Sequence, residues 1–335
     1  NHVTQEYLDE FKREFLNNNK LSARANKQYK ESHNHNSLTI AIKKDLKSSM
    51  SGDDVSSKYE SSLSDSYKNK EGIYYTPQYI VEDMLKEIVD VENKMFLDPC
   101  CGSGNFIIEA IKKGISPQNV YGFDVDDNAV LIARKRIKDL CGYDSKNIVC
   151  ADFLSQQPKA GSQKFDYIFT NPPWGKKINK ADKLRYSSLY NSGNSNDTSA
   201  LFYFACLKVL KENGELGMLL PDSFFNISSF ENARKSLLSL QINRFVDYGK
   251  AFKGLMAKAF AFVATNDECL KTNGKSMIEC EIYSVKKHLR SQESFADIPK
   301  HIFNFHIEES ENDIIRRVFS MPHITLKDNA KWGLG

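Results

Sequence analysis

The sequence predicts an α/β fold, a Rossmann-like doubly wound and mostly parallel sheet, preceded by a polar, partly helical N-terminal segment. Three observations predict it. From Ile73 onward, short apolar runs alternate with helix-period stretches, the pattern of a sheet covered by helices. Two of those helical stretches close on a glycine, at Gly114 and Gly142, as helix C-caps do. Glycine-rich or acidic motifs stand just after apolar runs, where ligands bind in folds of this kind.

In chain order, residues 1–70 are rich in Lys, Asn, Ser and acidic side chains. Tyr7–Leu16 and Leu38–Leu46 read as short helices, and Ser48–Ser66, with nine serines, reads as flexible. Residues 71–285 carry the sheet. Met95–Leu97, Val120–Phe123, Ile148–Cys150 and Tyr167–Phe169 are strand-like, with helices Asn105–Lys113 and Asn128–Cys141 between them. There follow a helix Ala200–Lys211 capped near Gly214, a strand Leu216–Leu220, and a helix Phe230–Leu240. The strands Phe245–Val246, Ala259–Ala264 and Ile278–Tyr283 complete the domain. Residues 286–335 lose this rhythm and read as a linker.

A length of 335 residues suits one large domain with an appendage, and 41% hydrophobic with 27% charged residues is a globular balance. No apolar run is long enough to span a membrane, and the first residues are too polar for a signal peptide. Seven cysteines without framework or zinc spacing point to a reduced, cytoplasmic chain, and the seven histidines share no metal-ligand spacing. A net charge of +3 is too small to hold nucleic acid by bulk charge alone.

Phe96-Leu97-Asp98-Pro99-Cys100-Cys101-Gly102-Ser103-Gly104-Asn105-Phe106 ends one strand and opens a helix. Its two glycines allow a tight turn and close approach of a ligand, but the third glycine of a dinucleotide site is missing. A ligand without phosphate fits better, and S-adenosylmethionine has none; Asp98 would face its cationic methionine end. By itself such a turn is a weak signal. Asp124, twenty residues past Gly104, can accept from ribose hydroxyls, while Asp126 or Asp127 caps the next helix. Asp152, beside Phe153, can accept from an adenine amine, although alone it is equally a turn residue.

Thr170-Asn171-Pro172-Pro173-Trp174-Gly175 follows the fourth strand and is the most specific feature of the chain. Consecutive prolines fix the backbone and remove two donors. The Asn171 side-chain oxygen and the Pro172 carbonyl can then accept both N–H groups of an amine, aligning its lone pair with a methyl donor. Trp174 offers a flat face for a base, which must leave the duplex to reach it. The bland alternative is a proline turn with Trp174 as a core aromatic.

With these motifs the chain resembles the N6-adenine DNA methyltransferases, class I methyltransferases of the gamma class. Tyr74-Tyr75-Thr76-Pro77 stands where that family has its cofactor-closing segment. The resemblance implies that Tyr75, Thr76, Asp98, Pro99, Cys100, Gly102, Gly104, Asp124, Val125, Asp152, Phe153, Asn171 and Pro173 line the S-adenosylmethionine site, with Thr76 on the carboxylate. It assigns Asn171, Pro172, Pro173 and Trp174 to the target adenine, and Phe252 to the opposite face of that base, with core packing an equal alternative for Phe252. Asn329–Gly335 looks like the lead-in to a recognition domain of large single-chain (type IIG) restriction–modification enzymes. The expected partners are therefore double-stranded DNA and a recognition domain in the same polypeptide or a separate specificity subunit.

Lys176, Lys177, Lys180, Lys183 and Arg185 follow the Trp174 turn, and the Ser/Asn/Gly-rich stretch Ser187–Ser199 reads as a mobile loop that orders on DNA. Asn-Pro-Pro-aromatic turns also serve methylation of RNA bases and of protein glutamine. A non-catalytic cofactor-binding subunit is the third reading, and the intact Asn171–Trp174 turn argues against it.

Overall fold

The computed structural model describes residues 37–156, 163–267, 276–322 and 324, so Tyr7–Leu16 and Asn329–Gly335 lie outside the described residues. The chain divides into two compact units, residues 1–62 and 63–335. In the first, residues 37–46 form the expected helix, and a second helix spans Gly52–Ser62. The Ser48–Ser66 stretch is thus largely helical rather than irregular. Val55, Ser56 and Tyr59 are buried at helical spacing, and Ser51 bonds the Asp54 amide at 3.1 Å as the helix begins. Serine-rich composition concealed an amphipathic turn pattern.

The second unit holds one nine-stranded sheet of order β3-β2-β1-β4-β5-β7-β6-β8-β9. The strands are β1 Phe96–Asp98, β2 Val120–Asp124, β3 Ile148–Cys150, β4 Phe165–Thr170, β5 Leu210–Pro221, β6 Gln241–Asp247, β7 Ala259–Thr265, β8 Met277–Ile282 and β9 Lys286–Ser291. Strands β1 to β5 pair in parallel, β7 runs antiparallel between β5 and β6, and β9 runs antiparallel to β8. Alternate residues of each strand feed separate cores. Ile168, Leu216, Met218, Phe260 and Phe262 belong to one core, and Phe169, Leu219, Ala261 and Val263 to the other. Chain order reverses at β1, whose neighbours are β2 on one side and β4 on the other, and the carboxyl ends of strands at such a switch point are where ligands of open α/β sheets bind.

Local chemistry fixes the helix ends. Asp126 caps Asp127–Cys141 by accepting from the Asn128 N–H, and Gly142 closes that helix at a φ of 74°. Gly214 has no such role. The helix Thr198–Val209 ends before it, and the chain enters β5 directly, with Asn213 at a φ of 59°. Residues 286–322 are not a linker. β9 extends the sheet, and Phe295, Phe303 and Phe305 complete the core around Phe225 and Phe245. Ser187–Ser199 is likewise ordered. Residues 180–190 form a helix, Ser192, Ser195 and Ser199 are buried, and Ser195 Oγ accepts from the Ala233 N–H. No helix among the described residues is long and apolar enough to cross a membrane.

Candidate active site

Four strand ends converge on the crevice. After β1, Gly102 and Gly104 take φ values of 50° and 93°. A Cβ on Gly102 would stand 3.3 Å from the Tyr75 ring, and one on Gly104 would stand 3.1 Å from the Ala133 side chain. The left-handed backbone favours glycine at both positions, and the Ala133 and Tyr75 side chains leave little room for a Cβ. Pro99 is buried, and Cys100 and Cys101 have thiols held well above their usual range by burial.

Asp98 is buried, and its Oδ1 accepts from the Thr170 hydroxyl at 2.7 Å and from the Cys100 N–H at 3.1 Å. Burial pushes its carboxyl up to about 7, against the lowering effect of those two bonds, and Asp124 adds to the rise. At the end of β2, Asp124 accepts from the Gly102 N–H at 2.8 Å and the Asp126 N–H at 2.9 Å, and burial raises its carboxyl too. Asp124 thus holds the glycine turn itself and Asp98 the Cys100 amide before it, and a cation bound beside them would favour the charged form of both carboxyls. Val125 beside them is exposed.

Asp152 is a cap as well as a candidate ligand. Its Oδ1 accepts from the Leu154 N–H at 3.0 Å and its Oδ2 from the Tyr186 hydroxyl at 3.0 Å. Phe153 is buried against Phe123 and Phe202. Each carboxylate oxygen thus keeps a lone pair for the adenine amine expected there.

After β4, the Asn171 amide is oriented without ambiguity. Its Nδ2 donates to the Tyr74 carbonyl at 2.8 Å and to Thr76 Oγ1 at 3.2 Å. A carbonyl can only accept, so the NH2 group must face it. The opposite atom, Asn171 Oδ1, is buried and has no hydrogen-bond partner, which is costly for an acceptor unless a ligand supplies the donor. Pro172 is buried and Pro173 half-buried beside it.

Trp174 is buried, with Nε1 donating to the Leu219 carbonyl at 3.3 Å. It meets Phe252 edge to face at 5.2 Å between ring centroids, and Tyr74 lies 5.4 Å from Phe252 and 6.0 Å from Trp174. Phe252 does come to the site, but the rings pack on one another rather than framing a parallel slot. A flat base enters only if Phe252 or Tyr74 swings away.

Several residues that complete this arrangement were not evident from the sequence. Gly72, at a φ of 69°, lies so close to Trp174 that a Cβ would sit 2.6 Å from the Trp174 carbonyl oxygen. Arg136 Nη1 donates to the Ser103 carbonyl at 2.8 Å and to Asn105 Oδ1 at 2.7 Å, and Asn105 Nδ2 donates to the Thr76 carbonyl at 3.0 Å. A polar chain therefore runs from the glycine turn through Asn105 and Thr76 to Asn171. The Tyr67 hydroxyl is pushed up to about 12 by burial and by nearby Asp126, Glu71 and Asp124. Their partners lie far away in sequence, and only the helix-ending position of Gly72 gave a local cue. Lys176, the first of the basic run after the Trp174 turn, pairs with Glu71 at 3.0 Å.

A family model described as "N-6 DNA Methylase" matches residues 50–246. Among curated proteins, a "Type II methyltransferase M.VspI" from Vibrio sp. (strain 343) is 44% identical over 337 residues, covering 100% of this chain and 81% of that protein. A solved modification subunit of a putative type I restriction enzyme from Vibrio vulnificus YJ016 superposes with a TM-score of 0.55 at 16% identity, covering 82% of this chain and 60% of that one. The type IIG restriction endonuclease BpuSI gives a TM-score of 0.55 at 14% identity, over 80% of this chain and 34% of that one. These last two likenesses concern the fold.

Proposed function

Because this chain belongs to the N-6 DNA methylase family, we propose that it transfers a methyl group from S-adenosylmethionine to the N6 amine of an adenine flipped out of duplex DNA, as the modification activity of a restriction–modification system. The observation that carries the reading is Asn171 Oδ1, a buried acceptor without a partner, fixed after β4 and linked through Thr76, Asn105 and Arg136 to the Gly102–Gly104 turn.

The crevice fits the methyl donor. Asp98 and Asp124 would hold its methionine and ribose ends, Gly102 and Gly104 admit it to the backbone, and Tyr75, Thr76 and Pro173 would close over it. Pro99, Cys100, Val125, Asp152 and Phe153 would line the remainder. When bound, S-adenosylmethionine supplies an electrophilic methyl group on a sulfonium.

The protein's own groups do the rest. Asn171 Oδ1 and the Pro172 carbonyl accept the two N–H bonds of the amine, turning its lone pair towards the methyl carbon. Positive charge developing on the amine nitrogen during transfer would be stabilised by the same two oxygens. No side chain has to deprotonate the neutral amine beforehand; the proton leaves to water afterwards. Trp174 and Phe252 would stack on the base once the ring cluster opens.

DNA is the expected substrate, met with the help of a recognition domain in the same polypeptide or a separate specificity subunit. The test is to incubate the full-length protein and labelled S-adenosylmethionine with duplex DNA, RNA or protein, then digest the product. Label in N6-methyladenine from DNA supports the reading; label in methylated cytosine, RNA or glutamine, or none in DNA, rejects it.

A further inference from the structure

The loop between β6 and β7 holds a side chain that methyl transfer itself does not use. The base of the loop is pinned. The Tyr248 N–H donates to the Ala259 carbonyl at 2.9 Å, the Ala259 N–H to the Gly249 carbonyl at 2.8 Å, and Asp247 Oδ1 accepts from the Gly249 N–H at 2.6 Å. Phe252 anchors its middle by packing against Trp174 and Tyr74. Beyond Phe252 the chain turns outward. Gly254 takes a φ of 80° in open space, and Met256 leaves 82% of its surface in water. Lys250, Lys253 and Lys258 are exposed on the same loop.

A flexible thioether held in water forgoes the stabilisation that burial would give. Its surroundings define what would cover it. Lys250 and Lys253 favour a polyanion, and the Phe252 anchor places Met256 four residues from the ring cluster proposed to receive the adenine. Extruding a base leaves a gap in the stack and costs unstacking energy. Apolar side chains, methionine among them, enter base steps and recover part of that cost, while lysines hold the flanking phosphates without regard to sequence.

We infer that Met256 is a wedge that enters the DNA stack as the target adenine leaves it, with Lys250 and Lys253 gripping the phosphates on either side. Lys258 is drawn back towards Asp247, 3.6 Å away, and braces the loop instead. Because Phe252 and Met256 share one short loop, the group that meets the flipped base and the group that fills its place move together. The inference rests on the reading of the chain as a DNA adenine methyltransferase.

The test uses the full-length protein and variants Met256→Ser and Met256→Leu. The methylated site is first mapped by sequencing modified genomic DNA. Transfer is then measured on a duplex carrying that site, either fully paired or with an abasic position opposite the target adenine. Met256→Ser should lose roughly tenfold or more in kcat/KM on the paired duplex and regain near wild-type rates on the abasic one. Met256→Leu should stay close to wild type on both. Equal losses on the two duplexes, or no loss on the paired one, overturn the wedge while leaving the methyltransferase reading intact. A wild-type protein that methylates no DNA overturns both.

Discussion

At the scale of single residues, the site is a set of polar groups whose ordinary partners are partly missing. Asn171 has its donor side filled by Tyr74 and Thr76 and its acceptor side empty. Asp98 shows the same imbalance as charge. Its carboxyl is raised from 3.8 to about 7, so the fold favours the protonated form. The stability it lends is therefore fully present below about pH 4 and is lost as pH rises through about 7. In cofactor-free protein, the wild-type denaturation midpoint should fall relative to that of Asp98→Asn between about pH 4 and pH 7 and run parallel to it above that. Profiles parallel throughout would contradict this. A bound cation reverses the balance. Affinity for S-adenosylmethionine should rise with pH across the same range in the wild type and stay flat in Asp98→Asn, as titration calorimetry can read.

Asn105 acts one step further out, through Thr76. Asn105→Ala should lower kcat by about tenfold with the KM for DNA little changed, since small displacements of a positioning group are costly. An unchanged kcat would remove Asn105 from the positioning chain.

At the scale of elements, the short helix Asp65–Glu71 and the segment after it are stapled to the catalytic turn. Gly72 lies against the Trp174 backbone, Tyr74 and Thr76 hold Asn171, and Glu71 pairs with Lys176. Gly72→Ala would have to place a Cβ 2.6 Å from the Trp174 carbonyl oxygen at a φ of 69°. It should cost about 1–3 kcal/mol in urea unfolding and depress methyl transfer as well. A fully stable and active variant would show that the staple is dispensable.

The elements also show what was legible beforehand. Strand-end motifs that lie within a few residues of one another, such as Asp98 to Gly104 or Asn171 to Trp174, can be read locally, and the structure brings them to one crevice. Asp126 was legible as a cap for the same reason. Tyr186, which reaches Asp152, and Arg136, which reaches Ser103, were not, because each meets its partner only after the sheet has formed. The ordered Ser187–Ser199 stretch was not legible because its serines bond within the fold, Ser195 to the Ala233 N–H, Ser187 to the Gly193 carbonyl and Ser199 to Asp197.

For the whole molecule, the informative failure is β9. Its Lys-Lys-His-Leu-Arg-Ser sequence inverts the usual pattern, since Leu289 is exposed and Arg290 is fully buried. Arg290 donates to Glu309 Oε2, to the Asn304 and Ile307 carbonyls and to Ser294 Oγ, so its burial is satisfied by segments on both sides of the aromatic core. Ending the chain after Val285, where the apolar rhythm fades, would remove Arg290, Phe295, Phe303 and Phe305 together and uncover Phe225, Phe245 and Phe260. Such a protein should aggregate or unfold without a cooperative transition. Cooperative unfolding at the temperature of the full chain would instead mark residues 286–322 as separable.

The central claim is most directly tested by comparing methyl transfer and cofactor binding in Asn171→Ala. Methyl transfer to adenine in DNA should fall by roughly 10²–10³-fold, as for loss of one preorganised group at a site of developing charge, while the dissociation constant for S-adenosylmethionine changes little. Transfer that survives at near wild-type rate, or that is lost only in step with cofactor binding, would contradict the account.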